Sequence, residues 1–331
     1  MRLKGISGTG LKIIAMISMF IDHLAAILLT DYLTTQIPSG ITGAELAAWF
    51  AQNQSVARLQ NLIYIMRGVG RFAFPLYVFL LVEGFLHTRN IKKYALRLGI
   101  FALASEPFFN LGFYGKLYYP KSQNVFLTLL FGLLAVACIH YLADTFGENK
   151  SFAPMFYFSA LFVGPFVCYA FFKRIEPAYH FLKVSIDNTT QLGIILASAP
   201  ISLVFLAWIG RNWDVVRKNI FTCVVLPTFL FCMAAELMRT DYKGAGVLAV
   251  VVMYLLRRDR QFAYAVGCFV LTLKAPIELV AFLMIYPVMM YNGERGAKVN
   301  KYIFYGFYPV HLGVLYLFTL SLGYTYFQLG F

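Results

Sequence analysis

Long apolar runs alternate with short polar segments along almost the whole chain. The first run covers residues 11–30, and runs of similar length follow at 62–87, 94–112, 124–143 and 152–172. About 20 apolar residues cross a bilayer as a helix. Continuous runs of this kind favour helices over the short alternating segments of a membrane barrel. The pattern therefore predicts an all-α polytopic integral membrane protein.

The second half of the chain continues the pattern less regularly. Three further long runs cover 191–209, 219–238 and 302–328, and three shorter runs lie between them at 244–256, 261–273 and 277–291. The short runs predict tilted, broken or re-entrant helices, which are tolerated only against protein or a cavity. We expect about ten transmembrane helices in one bundle, and a single transmembrane domain over residues 1–331.

Composition and charge agree with a membrane location. Of 331 residues, 60% are hydrophobic and 13% are charged, against about 25% charged in soluble domains. Most Lys and Arg residues lie in loops predicted on the same side as Arg2, Lys4 and Lys12, so the positive-inside rule predicts a cytoplasmic N-terminus. This placement explains the net charge of +13 without nucleic acid as a partner.

Signatures of several other functions are missing from the sequence. The five cysteines all lie in apolar runs and form no CxxC pair, which predicts free thiols and no metal site. The chain has no GxxxxGK[ST], HExxH or GxSxG motif, which argues against nucleotide-driven pumps and zinc proteases.

An acid and an imidazole lie side by side within the first apolar run. Asp22 is about 17 Å along a helix from Leu11, close to the middle of a hydrocarbon core about 30 Å thick. An ionised carboxylate there costs about 2.5 kcal/mol or more without a partner. Asp22 and His23 are therefore candidate catalytic residues, with the carboxylate stabilising an imidazole general base. The structural alternative is a buried polar pair that holds the first span against its neighbours.

The second apolar run begins with two arginines one helical turn apart. Arg67 and Arg71 precede Pro75 in the segment RGVGRFAFP. We predict that Arg71 pairs with Asp22, which would neutralise both charges, and that Pro75 kinks the span.

Three other polar residues are candidates for substrate contacts. Glu106 lies in the apolar segment SEPFFN, His311 follows Pro309 in the last span, and Tyr242 lies at a predicted external turn. Each has a structural alternative: Glu106 in helix–helix hydrogen bonding, His311 in packing, and Tyr242 in a solvated loop.

Five segments of the chain resemble the TraX family. They are, in order, LKIIAMISMFIDHLAAIL, RGVGRFAFPLYVFLLVEGFLHTRNIKKYALRLGIFALASEPFFN, NVFLTLLFGL, TDYKGAGVLAVVVMYLLR and KYIFYGFYPVHLGVLYLF. The resemblance covers both ends of the chain and most of the first 140 residues, whereas residues 144–235 are generic membrane sequence. The order of the segments is specific, although each one alone would be weak.

The resemblance implies an activity and a location. TraX proteins are associated with N-terminal acetylation of conjugative pilin in the bacterial inner membrane, and they resemble transmembrane acyltransferases that use cytoplasmic acetyl-CoA. The family's DH motif corresponds to Asp22 and His23, its GR motif to Gly70 and Arg71, and its FYP-HL motif places His311.

Together, the residues and the resemblance predict an acetyltransferase that moves an acetyl group across the membrane to a pilin or peptide amine or to a cell-envelope glycan. His23 would accept the acceptor's proton, and Arg71 or His311 would stabilise the oxyanion or position the acceptor. The CoA phosphates are predicted near three basic residues, Arg89, Lys92 and Arg97. Direct transfer is favoured over an acetyl-His intermediate.

Two other functions stay open at this stage. In a proton-coupled transporter, Asp22, His23 and Arg71 would form an intramembrane relay, although we find no inverted repeat of the kind many transporters contain. In a non-catalytic assembly factor, replacing His23 would have no effect.

Overall fold

The computed structural model describes residues 5–182, 187–272 and 274–323. Arg2, Lys4 and the predicted end of the last span at residue 328 lie outside this range. Within it, regular structure is helical, and β-pairing is limited to isolated bridges between Ile6 and Tyr291 and between Gln123 and Thr240. The predicted all-α fold is confirmed.

The described residues up to Phe146 form seven α-helices. A six-residue π-helix, Leu24–Leu29, joins the first two of them into one continuous segment. The helices are α1 Gly8–His23, α2 Thr30–Gln36, α3 Gly43–Gln52, α4 Gln54–Gly70, α5 Ala73–His87, α6 Ile91–Tyr114 and α7 Val125–Phe146.

The described residues after Phe146 add seven more α-helices and two 3₁₀ segments. The 3₁₀ segments are Lys150–Phe152 and Pro276–Met284. The α-helices are α8 Met155–Leu182, α9 Asn188–Gly210, α10 Val215–Leu237, α11 Lys243–Leu255, α12 Arg260–Thr272, α13 Ile285–Met289 and α14 Lys301–Ser321.

Seven segments of the described chain are long and apolar enough to cross a membrane. They are Gly8–Gln36, Gln54–His87, Val125–Phe146, Met155–Phe172, Thr189–Gly210, Val215–Leu237 and Lys301–Ser321. Shorter apolar helices occupy Lys243–Leu255 and Pro276–Met289, and α6 is long but more polar. This multi-pass arrangement agrees with a prediction of about ten spans.

The second span differs from its predicted range, 62–87. Its helix begins at Gln54, and it breaks after Gly70 and resumes at Ala73. Pro75 explains the break, because it cannot donate a hydrogen bond to the carbonyl of Arg71 and its ring crowds that carbonyl. The helix is therefore interrupted near the residue for which a kink was predicted, and Arg71 lies at the junction of α4 and α5.

Two other boundaries extend beyond the apolar runs that predicted them. Helix α8 continues to Leu182, whereas its apolar run ends at residue 172. Helix α10 begins four residues before residue 219, because the Asp214 side chain caps it by accepting a hydrogen bond of 2.7 Å from the Arg217 amide.

The core of the bundle lies around α5, α7 and α11. In the most apolar part of Gln54–His87, 67% of the residues are buried, against 17% in Met155–Phe172 and 11% in Thr189–Gly210. Helices α8 and α9 therefore lie at the edge of the bundle. Helices α7 and α11 pack closely, since a Cβ on Gly132 would clash with Val250 and one on Gly246 would clash with Thr128.

Backbone hydrogen bonds tie the start of α1 to the loop before α14. The amides of Ile6 and Gly8 donate to the carbonyls of Met290 and Glu294, both over 2.8 Å. The chain crosses the bundle in alternating directions, so the end of α5 and the start of α6 lie at this same end. We call it the basic end, after four cavity-lining cations: Lys12, Arg97, Arg295 and Lys301.

Candidate functional site

Two arginines hold the carboxylate of Asp22. Arg67 Nη1 lies 2.7 Å from Asp22 Oδ2, and Arg71 Nη2 lies 2.8 Å from Asp22 Oδ1. Asp22 is buried, so this pairing supplies the partners that a mid-membrane charge requires. The predicted pair between Arg71 and Asp22 is present, and Arg67 is a second partner.

Local sequence brings α1 and α4 into close contact at this point. A Cβ on Gly70 would overlap the Cβ and Oδ1 of Asp22, so glycine is what permits the approach. Ser18, one turn earlier on α1, donates a hydrogen bond of 2.7 Å to the Val69 carbonyl. The π-helix begins directly after His23, and π-helical turns occur frequently at functional sites.

A second carboxylate completes the charge network. Glu278, on the 3₁₀ segment Pro276–Met284, accepts a hydrogen bond of 3.2 Å from Arg71 Nη1, while Arg71 Nε donates to the Arg67 carbonyl over 3.1 Å. The Glu278 side chain is only 1% exposed. Within the described chain, its Oε2 has no hydrogen-bond partner. Two acids and two arginines therefore balance each other inside the bundle.

His23 contacts a second histidine more closely than it contacts Asp22. Its Nδ1 lies 2.6 Å from Nε2 of His311, whereas its Nε2 lies 3.9 Å from Asp22 Oδ2. Nδ1 of His311 is 2.6 Å from the Phe307 carbonyl, one turn earlier on α14. The first and last described spans therefore meet at a histidine pair.

A cavity of about 1030 Å³ passes this site. Its lining includes the four cations of the basic end, then Asp22, His23 and Arg71, and at the opposite end Ser122, Asp241 and Lys274. Residues from both ends of the bundle and from its centre thus line one cavity.

Two aromatic rings and a lysine line the far part of the cavity. The ring of Tyr242 stacks on Phe74 with centroids 3.6 Å apart. Lys274 Nζ lies 4.0 Å from the Tyr242 centroid and 3.4 Å from an oxygen of Asp241. Tyr242 is buried, so the solvated-loop alternative for this residue is wrong.

The other predicted substrate and cofactor residues are distributed differently. Arg97 lines the cavity, whereas Arg89 and Lys92 are exposed and do not appear in its lining. Glu106 is also absent from the lining and accepts hydrogen bonds from the backbone and side chain of Asn124. This contact matches the helix–helix alternative for Glu106.

Sequence reasoning missed Glu278, Lys274, Arg295 and Lys301 as cavity or network residues. Glu278 carried a signal, because it is an acid within the apolar segment PIELVAF. Nothing in the sequence marked the basic loop residues as converging on one cavity. Among the described residues, no group of three or more His, Cys, Asp or Glu side chains is placed to hold a metal ion.

Comparison with known proteins gives the family. The family model described as TraX protein matches residues 7–163 and 175–319. The chain belongs to the TraX family. A relative described as "Probable fimbrial assembly protein FimC, serogroup H1", from Dichelobacter nodosus, is 24% identical over 315 residues, which cover 92% of each chain. No solved structure matches.

Family membership confirms the resemblance seen in the sequence and extends it. The matched ranges of this TraX protein include both members of the histidine pair, both arginines and Glu278. They also include most of residues 144–235, which lie outside the five segments that carry the resemblance. The candidate site is thus built entirely from TraX-family sequence.

Proposed function

We propose that this TraX protein is a membrane acetyltransferase that takes an acetyl group from acetyl-CoA at the basic end and passes it to an acceptor that enters from the opposite end. The observation that carries the proposal is the cavity itself. It runs from a cluster of four cations, past Asp22 and His23, to a differently charged mouth at the far end. A donor and an acceptor on opposite sides of the membrane require a site of this form.

The basic end suits the phosphates of CoA. Lys12, Arg97, Arg295 and Lys301 line it, and guanidinium and ammonium groups are strong phosphate donors. Helices α1 and α14 both begin there, so their positive dipole ends add to the field.

The distance to the reaction centre suits the shape of CoA. Lys12 and His23 are eleven residues apart on α1, or about 17 Å along the helix axis. An extended pantetheine arm covers such a distance. With the phosphates at the basic end, the arm would therefore lie along α1 and bring the thioester to His23.

The chemistry then follows from the imidazole. The acceptor amine or hydroxyl attacks the thioester carbonyl, a C–N or C–O bond forms, and His23 Nε2 takes the acceptor's proton. The tetrahedral intermediate collapses, the C–S bond breaks, and the proton passes from His23 to the CoA sulfur. Asp22, 3.9 Å from Nε2, stabilises the imidazolium that exists between these steps.

The arginines act on Asp22 in this proposal. Arg71 is bonded on three nitrogens to Asp22, Glu278 and the Arg67 carbonyl. It therefore keeps the carboxylate charged and fixed beside His23, rather than donating to the oxyanion as the sequence suggested.

Family and relative together suggest the acceptor. The printed name of the relative concerns fimbrial assembly, and the TraX family is linked to pilin acetylation. We therefore propose the amine of a pilin-type protein as the acceptor, ahead of a cell-envelope glycan hydroxyl.

Ligand binding tests the donor half of the proposal. The melting temperature of the purified protein in detergent is measured with acetyl-CoA, with CoA and with ATP. A ligand at 100 times its Kd adds about 2.7 kcal/mol of stability, so acetyl-CoA should raise the melting temperature clearly and ATP should not. No shift at millimolar acetyl-CoA, with the protein folded, would contradict the proposal.

Matched variants show where the ligand binds. Replacing Lys12 and Arg295 with glutamine should weaken acetyl-CoA binding by about tenfold or more, since charged hydrogen bonds contribute about 1.5–3 kcal/mol each. Replacing Arg89 and Lys92 removes the same charge from the same end of the molecule but outside the cavity, and should leave the Kd within about twofold. An equal loss of acetyl-CoA affinity in the two double variants would show that the ligand is attracted non-specifically to the basic surface.

A further inference from the structure

The histidine pair has a geometry that fixes the positions of its protons. The rings of His23 and His311 are parallel to within 2°, and their centroids are 4.9 Å apart. Since the bonded nitrogens are only 2.6 Å apart, the two rings lie end to end in a common plane. Such an in-line arrangement is the favoured geometry of an N–H···N hydrogen bond.

The contact between His311 and the Phe307 carbonyl determines where the protons of the pair lie. Nδ1 of His311 lies 2.6 Å from the Phe307 carbonyl, and a carbonyl only accepts, so this nitrogen carries the hydrogen. In the neutral ring, Nε2 of His311 then has a lone pair and can only accept. His23 must therefore donate from Nδ1, which leaves the lone pair of His23 on Nε2.

Asp22 does not form a hydrogen bond with His23 Nε2. Both of its oxygens are held by arginines at 2.7 and 2.8 Å, and its nearest oxygen is 3.9 Å from His23 Nε2, beyond hydrogen-bond range. The side of His23 that faces Asp22 and the cavity thus has a free acceptor nitrogen.

We propose that His311 is a positioning residue, which holds His23 in the tautomer whose Nε2 is free to take the acceptor's proton. The relay runs from the Phe307 carbonyl through His311 to His23. It fills the role that a carboxylate has beside the histidine of a serine protease, but with a neutral partner. This inference rests on the proposed function for its catalytic consequence, whereas the tautomer itself can be measured without activity.

The tautomer is tested directly by NMR. The protein is labelled with ¹⁵N-histidine in lipid or detergent, and the His23 signals are assigned with the His23→Gln variant. Histidine in water favours the proton on Nε2, so a His23 ring protonated on Nδ1 would support the relay. A His23 ring protonated on Nε2 in the folded wild-type protein would overturn it.

Variants of His311 test the dependence of His23 on its partner. His311→Phe keeps a ring but removes the acceptor, and should shift His23 towards the Nε2-protonated form. His311→Gln offers a carboxamide oxygen near the position of Nε2 and should keep the wild-type tautomer. His140→Phe, on α7 and in contact with Tyr254, is the control for loss of a histidine elsewhere. An unchanged His23 spectrum in His311→Phe would contradict the inference.

Kinetics separates positioning from mere structural support. A wrong tautomer costs up to about 10⁴-fold in a serine protease, so acetyl transfer by His311→Phe should fall by at least about 100-fold in kcat. The KM for acetyl-CoA should change by less than about threefold, because the cations of the basic end are untouched. His311→Gln should recover at least a tenth of wild-type kcat, and equal loss in both variants would contradict the relay.

The two proposals can fail independently. If wild-type protein transfers no acetyl group, the proposed function is wrong, and the NMR spectra still decide the tautomer of His23. If transfer occurs but His23 is protonated on Nε2, the relay is wrong and the acetyltransferase proposal stands.

Discussion

Replacing Arg71 with methionine should destabilise the protein strongly. Methionine keeps much of the length of the side chain but removes the charge and the hydrogen bonds to Asp22 and Glu278. Asp22 retains Arg67 at 2.7 Å, whereas Glu278 loses the one side-chain partner it has in the described structure. The main consequence is therefore an unpaired acid in the interior.

Burial decides the size of the effect. The side chains of Arg71 and Glu278 are 13% and 1% exposed, so the pair belongs to the buried class. Removing one partner of a buried pair costs about 3–5 kcal/mol, or about two to four powers of ten in the folding equilibrium. The pair of Lys274 and Asp241 is 30% and 40% exposed at 3.4 Å, and Asp241→Asn should cost less than about 1 kcal/mol.

The assay is reversible unfolding of the purified protein by SDS in mixed micelles, followed by far-UV circular dichroism. A second variant identifies the cause: Arg71→Met combined with Glu278→Gln should recover more than about 1 kcal/mol, since coupled sites show interaction energies of about 0.5–3 kcal/mol. A loss below about 1 kcal/mol in Arg71→Met, or no recovery in the double variant, would refute the reasoning.

Three other predictions are simpler. Gly70→Ala should cost about 1–3 kcal/mol by overpacking against the first-span carboxylate, whereas Gly68→Ala, with nothing within 4 Å of the added Cβ, should be near neutral in the same unfolding assay. Asn124→Ala should lower stability by about 2–4 kcal/mol, because this buried side chain caps α7 and donates to two other groups; wild-type stability would contradict the assigned contacts. In a cysteine-free background, a cysteine at Ser39 should react with an impermeant reagent on intact cells and one at Lys298 should not; the reverse pattern would contradict a cytoplasmic basic end.

Much of the fold was predictable because lipid exposure imposes a simple pattern. Apolar runs gave the multi-pass helical fold, and the intramembrane charges at Asp22 and Arg71 gave the central pair. The need for apolar residues in lipid acts within each segment. The cost of burying a charge applies to each charged residue and indicates that it needs a partner. The apolar runs predicted the helix ends less accurately, because these ends depend on capping side chains and on Pro75.

The rest of the site depends on contacts between distant segments. His311 and His23 are 288 residues apart, and Glu278 and Arg71 are 207 apart. Each residue was visible as a polar group in an apolar run, but periodicity does not show which spans are neighbours. The prediction that Arg89 and Lys92 face CoA followed sequence proximity, whereas the cavity's four cations come from three separate parts of the chain.

The most direct test of the account is acetyl transfer itself. Inverted membrane vesicles from cells that produce the protein are supplied with acetyl-labelled acetyl-CoA, and label in the membrane and protein fractions is measured for wild type and His23→Gln. We predict incorporation with wild type and loss of at least about 100-fold with His23→Gln, while the rise in melting temperature with acetyl-CoA persists in the variant. Equal incorporation in both, or none in wild type above vesicles without the protein, would contradict the central claim.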